Sequence, residues 1–194
     1  MLTFDRVSFS YRAGKPVLTD LSFRLRRGER MTVMGKSGGG KSTLLSLAAG
    51  LLTPTGGRIE CRAERVACVF QEPRLFPWLS VAENLAAVLP KPDPLAIASV
   101  LCDVGLADCA SLYPAELSGG MKSRVSLARG LLYGGDLYLL DEPFAALDPA
   151  LRRRLTGLLV ARLEKTGAAA LLVTHDREDA VRFGGRVLRI GADQ

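Results

Sequence analysis

Gly35-Lys-Ser-Gly-Gly-Gly-Lys-Ser42 is the stretch that decides the fold of this 194-residue chain. An apolar, strand-forming run at 30–34 precedes it, and a helix-forming run at 43–49 follows it and stops at Gly50. The glycines let successive backbone N–H groups point inward, which makes a concave nest for an anion. The N-terminus of the following helix adds unpaired donors and a partial positive charge. The sequence therefore predicts a phosphate-binding loop between a strand and a helix.

The last two residues of this loop carry chemistry of their own. Lys41 supplies a full positive charge that can reach the outer phosphates of a nucleotide, and Ser42 offers a hydroxyl ligand to Mg²⁺. The alternative is a glycine-rich turn that binds nothing. The strand before the loop and the helix after it disfavour this alternative. The residues of this segment that we expect to bind ATP are Gly35, Lys36, Ser37, Gly38, Gly39, Gly40, Lys41, Ser42 and Thr43.

Composition places the chain among folded domains. Hydrophobic residues make up 48% and charged residues 24%, and the length allows one domain, 1–194, with a substantial core. Uninterrupted apolar stretches such as 168–173 are far too short to cross a bilayer. The start, Met1-Leu-Thr-Phe-Asp-Arg6, has no basic segment followed by an apolar one, as a secretory signal would. We therefore expect a cytoplasmic protein.

The charge and the cysteines argue against a nucleic-acid partner and against a zinc site. The net charge of +6 is spread along the chain rather than concentrated, so we expect no nucleic-acid partner. The four cysteines form no C-x-x-C pair, and the chain has one histidine, which disfavours a zinc site. We expect them to be small core residues. They are Cys61, Cys68, Cys102 and Cys109.

Strand-like and helix-like segments alternate after the loop. Residues 72–117 interrupt this alternation, because they are rich in Leu, Ala and Pro and contain no convincing strand. We expect a helix from Pro94 to about 104, and a long helix that Asp148 caps and that ends before Gly167. The predicted strands are at 2–9, 21–26, 30–34, 58–60, 65–70, 137–140, 169–173 and 186–190.

This order predicts an α/β fold. Strands joined by helices after a glycine loop imply a mainly parallel sheet with helices on its faces. We predict a P-loop NTPase core, antiparallel strands at the N-terminus and an inserted helical subdomain at about 72–132.

Two carboxylates end the apolar run at 137–140, namely Asp141 and Glu142. An apolar parallel strand delivers its last residues to the carboxyl edge of the sheet, where the glycine loop also opens. Because consecutive strand residues point to opposite sides, one carboxylate is expected to orient Mg²⁺ and the other to reach a water molecule. The alternative is an ordinary solvated strand end.

A second glycine-containing helix start lies at Leu117-Ser-Gly-Gly-Met121. Ser118 can cap the helix, and the same geometry would bind a phosphate. A chain that already has one phosphate site has a use for a second if it forms a head-to-tail dimer, in which each subunit offers this helix start to the nucleotide of the other.

With these residues the chain resembles the ATP-binding subunit of ABC transporters over nearly its whole length. Tyr11 matches the aromatic residue that stacks on adenine, and 35–42 matches the Walker A loop. Gln71 matches the glutamine that senses Mg²⁺ and the attacking water. Residues 137–142 match Walker B, which implies Mg²⁺ coordination by Asp141 together with Ser42 and Gln71, and a catalytic role for Glu142.

The same resemblance covers the remaining motifs. Ser118, Gly119 and Gly120 match the family signature and imply contacts with the partner subunit's ATP. Asp148, at the end of Ala-Leu-Asp, matches the loop that communicates across the dimer, and His175 matches the switch histidine facing the γ-phosphate. Seven motifs in the right order make the resemblance specific. The signature departs from the family pattern at one position, where Met121 replaces the usual glutamine.

The resemblance implies an ATP-hydrolysing subunit that energises an ABC importer. It implies a homodimer or pseudo-homodimer on ATP binding, transmembrane permease subunits, a periplasmic or surface substrate-binding protein, and a place on the inner face of the cell membrane. The segment 71–85 is similar to subunits for nitrate, sulfonates, taurine or pyrimidine precursors. We expect Trp78 to lie near the permease, with core packing as the alternative.

Two other functions compete with this interpretation. A soluble ATPase of the same family could act on nucleic acid or ribosomes, but such proteins usually carry long coiled-coil insertions or two ATPase halves, and this sequence has neither. A subunit that holds ATP without turnover is disfavoured because every catalytic position is filled.

Overall fold

The computed structural model describes residues 1–12 and 14–191, which contain eight strands and six α-helices. The strands are β1 Leu2–Arg12, β2 Lys15–Leu25, β3 Arg30–Met34, β4 Gly56–Cys61, β5 Val66–Val69, β6 Leu137–Asp141, β7 Ala169–Val173 and β8 Arg186–Arg189. The helices are α1 Lys41–Ala48, α2 Val81–Ala86, α3 Pro94–Asp103, α4 Gly119–Tyr133, α5 Pro149–Thr166 and α6 Arg177–Phe183.

Five strands form a parallel sheet in the order β5-β6-β7-β3-β8. Every residue of β6 and β7 is buried, which explains why these strands read as continuous apolar runs in the sequence. In a parallel sheet all carboxyl ends lie at one edge. The loop after β3, the two acids at the end of β6 and the histidine after β7 therefore meet at the same edge.

The other three strands form an antiparallel sheet in the order β2-β1-β4. Its apolar side chains join those of α1 and one face of the parallel sheet in a single core cluster, and a second cluster lies between the other face and the remaining helices. The mainly parallel sheet and the antiparallel N-terminal strands are as predicted. The start of β2 at Lys15 lies earlier than the predicted 21, because this half-exposed strand alternates irregularly around several register shifts.

The segment between β5 and β6 is helical throughout its ordered elements, which are α2, α3, α4 and two short 3-10 turns. Pro94 begins α3, as expected, and Asp93 caps it. The helix after the signature starts at Gly119, and Ser118 caps it, as expected, by accepting a hydrogen bond from the Met121 amide. The limits of a helical subdomain, 72–132, stay a prediction.

The long helix α5 has the ends that the sequence predicted. Asp148 accepts hydrogen bonds from the amides of Ala150 and Leu151, and Gly167 ends the helix with a φ of +65°. The short helices α2 and α6 were not predicted, because six or seven residues are too few for a clear helical period.

The expectation for the cysteines is wrong. Cys61 and Cys102 are exposed, and Cys68 and Cys109 are half-buried. Cys61 ends β4, the outer strand of the antiparallel sheet, where its side chain is left uncovered. Across the part of the chain that is described, no helix combines the length and the apolar character needed to span a membrane.

Candidate nucleotide-binding site

A pocket of about 560 Å³ opens at the carboxyl edge of the parallel sheet. It brings together most of the residues expected to act on one nucleotide. Its lining consists of Tyr11, Val17, Ser37, Gly38, Gly40, Lys41, Ser42, Thr43, Gln71, Asp141, Glu142, Ala145 and His175. Three loop residues, Gly35, Lys36 and Gly39, lie in the same loop but do not line the pocket, and the four residues expected to act across a dimer lie elsewhere.

The glycine loop has the tight backbone that the motif implies. Gly40 stands at the N-terminus of α1 with a φ of +87°, where no side chain caps the helix, so its first amides remain free for an anion. A Cβ at Gly35 would lie 2.2 Å from the carbonyl oxygen of Ile190, so the loop passes directly against the chain after β8. These contacts fix the loop between β3 and α1 before any ligand arrives.

Lys41 is held across this loop. Its ammonium donates hydrogen bonds to the carbonyl oxygens of Gly35 and Lys36, both at 2.9 Å. The charge is therefore already at the mouth of the pocket, and phosphate oxygens would meet an oriented cation rather than a mobile side chain.

Asp141 is a buried acid with an incomplete set of partners. Its side chain is almost entirely buried, and its Oδ1 has no hydrogen-bond partner among the described residues. Burial raises the pKa of this carboxyl, while a hydrogen bond from Ser42 and the charge of Lys41 act to lower the same pKa. A carboxylate oxygen without a partner beside a serine hydroxyl is an oxygen-rich place for a hard cation. The residues present therefore fit Mg²⁺.

Glu142 and His175 are in direct contact. Glu142 Oε1 accepts a hydrogen bond from the His175 amide at 3.0 Å and lies 2.7 Å from its Nδ1. The hydroxyl of Thr174 donates to Glu142 Oε2 at 3.4 Å. The Glu142 carboxylate is thereby oriented by the end of β7, and sequence reasoning missed Thr174 although it directly precedes the histidine.

The division of roles between Asp141 and Glu142 stays a prediction. We expected strand alternation to send Asp141 and Glu142 to opposite sides, but the strand ends at Asp141 and Glu142 has a φ of +47°. This left-handed turn brings both carboxylates into the lining of one pocket. The argument from alternation was wrong.

Tyr11 and Gln71 lie at the rim of the pocket. The Tyr11 hydroxyl is 3.2 Å from the Thr43 hydroxyl, and its ring packs edge-on against Phe9. The Tyr11 side chain is otherwise exposed, so its ring can stack on a base. Gln71 is exposed and lies two residues after the end of β5.

The residues expected to act across a dimer form a separate cluster outside the pocket. A Cβ at Gly120 would lie 2.9 Å from the Ala146 carbonyl oxygen, so the start of α4 packs closely on the loop that leads to Asp148. Gly119 has open space above it. Hydrogen bonds from the Leu151 and Ala150 amides lower the pKa of the exposed Asp148 carboxyl. The structure thus separates the predicted residues into two sets.

Comparisons with known proteins agree with this geometry. A family model described as ABC transporter matches residues 18–145. An aliphatic sulfonates import ATP-binding protein of Burkholderia lata is 43% identical over 195 residues, covering 95% of this chain and 71% of the relative. A protein of the same name from Pseudomonas syringae is 42% identical over 189 residues, covering 97% of this chain and 80% of the relative.

Solved structures give the same result. A dimeric ATP-binding cassette in a post-hydrolysis state with ADP and Pi has a TM-score of 0.89 and 28% identity, covering 98% of this chain and 94% of that chain. The predicted α/β fold and ATPase activity are confirmed, and the import subunits among the relatives favour the importer over the soluble alternative. The chain belongs to the ABC transporter family and is an ATP-binding, ATP-hydrolysing subunit of an import system.

Proposed function

We propose that two copies of this chain close head to tail over two ATP molecules, and that each copy supplies one pocket and one separate set of contacts. The observation that carries this proposal is the separation of the site residues. Lys41, Asp141 and Glu142 line one pocket, whereas Ser118 and Asp148 lie outside it. The partner's signature helix start would complete the pocket with Ser118, Gly119 and Gly120, next to the loop that leads to Asp148.

Within the pocket the residues divide the work of phosphoryl transfer to water. The loop amides and Lys41 hold the β- and γ-phosphates, and the Tyr11 ring stacks on adenine. Glu142 accepts a hydrogen bond from the attacking water and orients it, while His175, held against Glu142, faces the γ-phosphate. Catalysis is then mainly positioning and charge stabilisation.

We also propose that Mg²⁺ binds at Ser42, Asp141 and Gln71. The buried Asp141 Oδ1 without a hydrogen-bond partner supports this assignment. A divalent cation there supplies neutralisation of phosphate charge. The residues of the chain hold the ligand oxygens and keep Asp141 away from bulk water.

The partners and the location follow from the family as proposals. The chain would sit on the inner face of the cell membrane against transmembrane permease subunits, in a system with a periplasmic or surface substrate-binding protein. The relatives' names make an aliphatic sulfonate the proposed transported substrate. No nucleic-acid partner is proposed.

The exposed aromatic pair Phe76 and Trp78 is the proposed contact with the permease. Trp78 is 70% exposed and its ring centroid lies 5.7 Å from that of Phe76, so Trp78 is not packed in the core. Asn84 holds the surrounding turn through hydrogen bonds with the Phe76 amide and the Leu79 carbonyl. Trp78→Ala should therefore weaken copurification with the permease and leave ATPase activity of the isolated chain unchanged.

Growth on defined sulfur sources tests the proposed function. Cells lacking this chain should fail to grow on an alkanesulfonate as the sole sulfur source and should grow on sulfate. The wild-type chain should restore growth, and Lys41→Ala, produced at the same level, should not. Restoration of nitrate or pyrimidine use instead would refute the substrate, and restoration by Lys41→Ala would refute the need for ATP.

A further inference from the structure

A partly buried ion cluster connects the two sets of site residues within one chain. Arg152 lies in the first turns of α5, directly after the loop that ends at Asp148. Its guanidinium binds the carboxylate of Asp176, which is the residue after His175, and lies 3.9 Å from Asp179. The helix that begins at Asp148 is therefore tied to the turn that carries His175.

The connection continues to the proposed water-orienting acid. The Asp176 amide donates to the Thr174 hydroxyl at 3.1 Å, and that hydroxyl donates to Glu142 Oε2. The Asp176 carboxylate also caps α6 by accepting from the amides of Glu178 and Asp179. A continuous series of hydrogen bonds thus runs from Arg152 through Asp176 and Thr174 to Glu142.

The ion cluster is only partly satisfied as it stands. In residues 1–12 and 14–191, the Arg152 Nε and the Asp179 Oδ1 are both buried and have no hydrogen-bond partner. The Asp179 side chain is 4% exposed and that of Arg152 is 23% exposed. The guanidinium is bound to Asp176 and lies close enough to Asp179 to bind that carboxylate more fully after a small movement. A shift of α5 would supply this movement.

We propose that Arg152 is a positioning residue for hydrolysis, because it couples the loop that ends at Asp148 to the contact between Glu142 and His175. When a second copy presses on the Asp148 loop, the start of α5 carries Arg152 and its partner Asp176 with it. The Glu142 carboxylate then reaches its working orientation only when the dimer is closed. This inference rests on the proposed function, since it assigns a use to the two-copy site.

The competing explanation is that Arg152 only stabilises the fold. If Arg152 is purely structural, its substitution should lower the melting temperature and leave the activity per folded molecule constant. If Arg152 is a positioning residue, its substitution should lower kcat and leave the KM for ATP constant, because Lys41 and the glycine loop are untouched. It also interacts energetically with Asp148, whereas a structural residue does not.

The test compares substitutions on one helix in the purified full-length chain. Arg152→Met should lower kcat about tenfold, with the KM for Mg·ATP within about twofold of wild type. Arg152→Lys keeps the charge but not the forked geometry and should recover part of kcat. Arg153→Met, at the exposed neighbouring position, should have no effect on either constant.

A second variant covers the case in which Arg152→Met does not fold. Asp176→Asn keeps the cap of α6, because asparagine caps helices as well as aspartate, but weakens the bond to Arg152. It should lower kcat with little change in KM. A double-mutant cycle of Asp148→Asn with Asp176→Asn on kcat should show less than the sum of the two effects.

The outcomes are distinct. Unchanged kcat in Asp176→Asn and in folded Arg152 variants, or fully additive effects in the cycle, would overturn the positioning role and leave the proposed function intact. If the Glu142→Gln protein hydrolysed ATP as fast as the wild type, the proposed function would be refuted, and this inference with it. Loss of kcat with non-additive coupling to Asp148 supports both.

Discussion

The glycine loop and the start of α4 are two phosphate-binding patterns with opposite surroundings. The loop lies in a pocket with an oriented cation, buried Asp141 and an acid fixed by His175. The start of α4 is an exposed helix end whose serine caps its own helix and whose first glycine faces open space. One is a pocket whose side chains are already held in place, and the other is an exposed surface.

The difference predicts that nucleotide binding and turnover have different requirements. The pocket of a single chain holds the residues expected to bind a nucleotide, and under the proposed function the start of α4 of a second copy completes the site. Binding and turnover should therefore separate experimentally, since substitutions in the pocket act on both and substitutions at the α4 start act on turnover and dimerisation alone.

The largest expected effect concerns Glu142 and Ser118 together. Glu142→Gln keeps the shape but loses the carboxylate, so turnover should fall by about 100- to 10,000-fold. Mg·ATP should still bind, and a dimer should accumulate because the α4 contacts remain and a negative charge near the γ-phosphate is gone. Size-exclusion chromatography with Mg·ATP measures the dimer.

Adding Ser118→Arg to Glu142→Gln provides the matched test of the second surface. A long side chain at the start of α4 should abolish the dimer while each monomer still binds ATP. A double variant that dimerises normally, or a Glu142→Gln protein with undiminished turnover, would contradict the two-site arrangement.

Substitution of Lys41 should distinguish the two regions by its effect on ATP affinity. Lys41→Ala removes charge-assisted bonds to phosphate, each contributing about 1.5–3 kcal/mol, so ATP affinity should fall about 10- to 100-fold. Ser118→Arg alone should leave the affinity of the monomer unchanged. Nucleotide titration of both variants decides the point, and equal losses of affinity would merge the two regions into one site.

A pH titration of the free energy of unfolding compares two acids, Asp179 behind the pocket and Asp148 on the side of α4. Burial raises the pKa of Asp179 to about 6, although Arg152 acts to lower it. The carboxyl has a pKa of about 4 in the unfolded chain, so between pH 4 and 6 the folded chain keeps a proton on Asp179 that the unfolded chain loses. The free energy of unfolding should therefore decrease by on the order of 2 kcal/mol as the pH rises through that window.

The control for this titration is Asp148, whose pKa is lowered instead. Its stabilising contribution is present above the unfolded pKa and is lost only as the pH falls through the lower folded value. Asp179→Asn should therefore lessen the decrease between pH 4 and 6, and Asp148→Asn should leave it in place. Denaturant unfolding at several pH values measures both, and an unchanged decrease in Asp179→Asn would assign it to another group.

The smallest expected effects come from two adjacent glycines. Gly120→Ala pushes a methyl group against the Ala146 carbonyl and should destabilise the chain by about 1 kcal/mol or more. Gly119→Ala meets nothing within 4 Å and should leave the monomer within about 0.5 kcal/mol of wild type, yet should slow turnover if a second nucleotide lies there. Thermal unfolding and ATPase rates separate the two, and unchanged turnover in Gly119→Ala would remove Gly119 from the shared site.

The sequence was sufficient for features that depend on neighbouring residues. The loop, the caps at Ser118 and Asp148 and the apolar strands β6 and β7 all follow from local patterns, so their positions could be predicted. The contact of Glu142 with His175 could not, because it depends on β6 and β7 pairing so that Asp141 lies beside Val173. The left-handed turn at Glu142 has no signal in the residue itself, and the Arg152 cluster depends on the packing of α5 against the turn before α6.

The left-handed backbone at Glu142 has a consequence for protein engineering. A residue with a Cβ pays about 1–2 kcal/mol for this conformation, whereas glycine adopts it freely and asparagine adopts it readily. Libraries of this protein screened only for heat resistance should therefore enrich glycine or asparagine at 142 and return stable, inactive molecules. Stabilising this ATPase without losing its activity requires a screen that measures turnover, or a library that leaves position 142 unchanged.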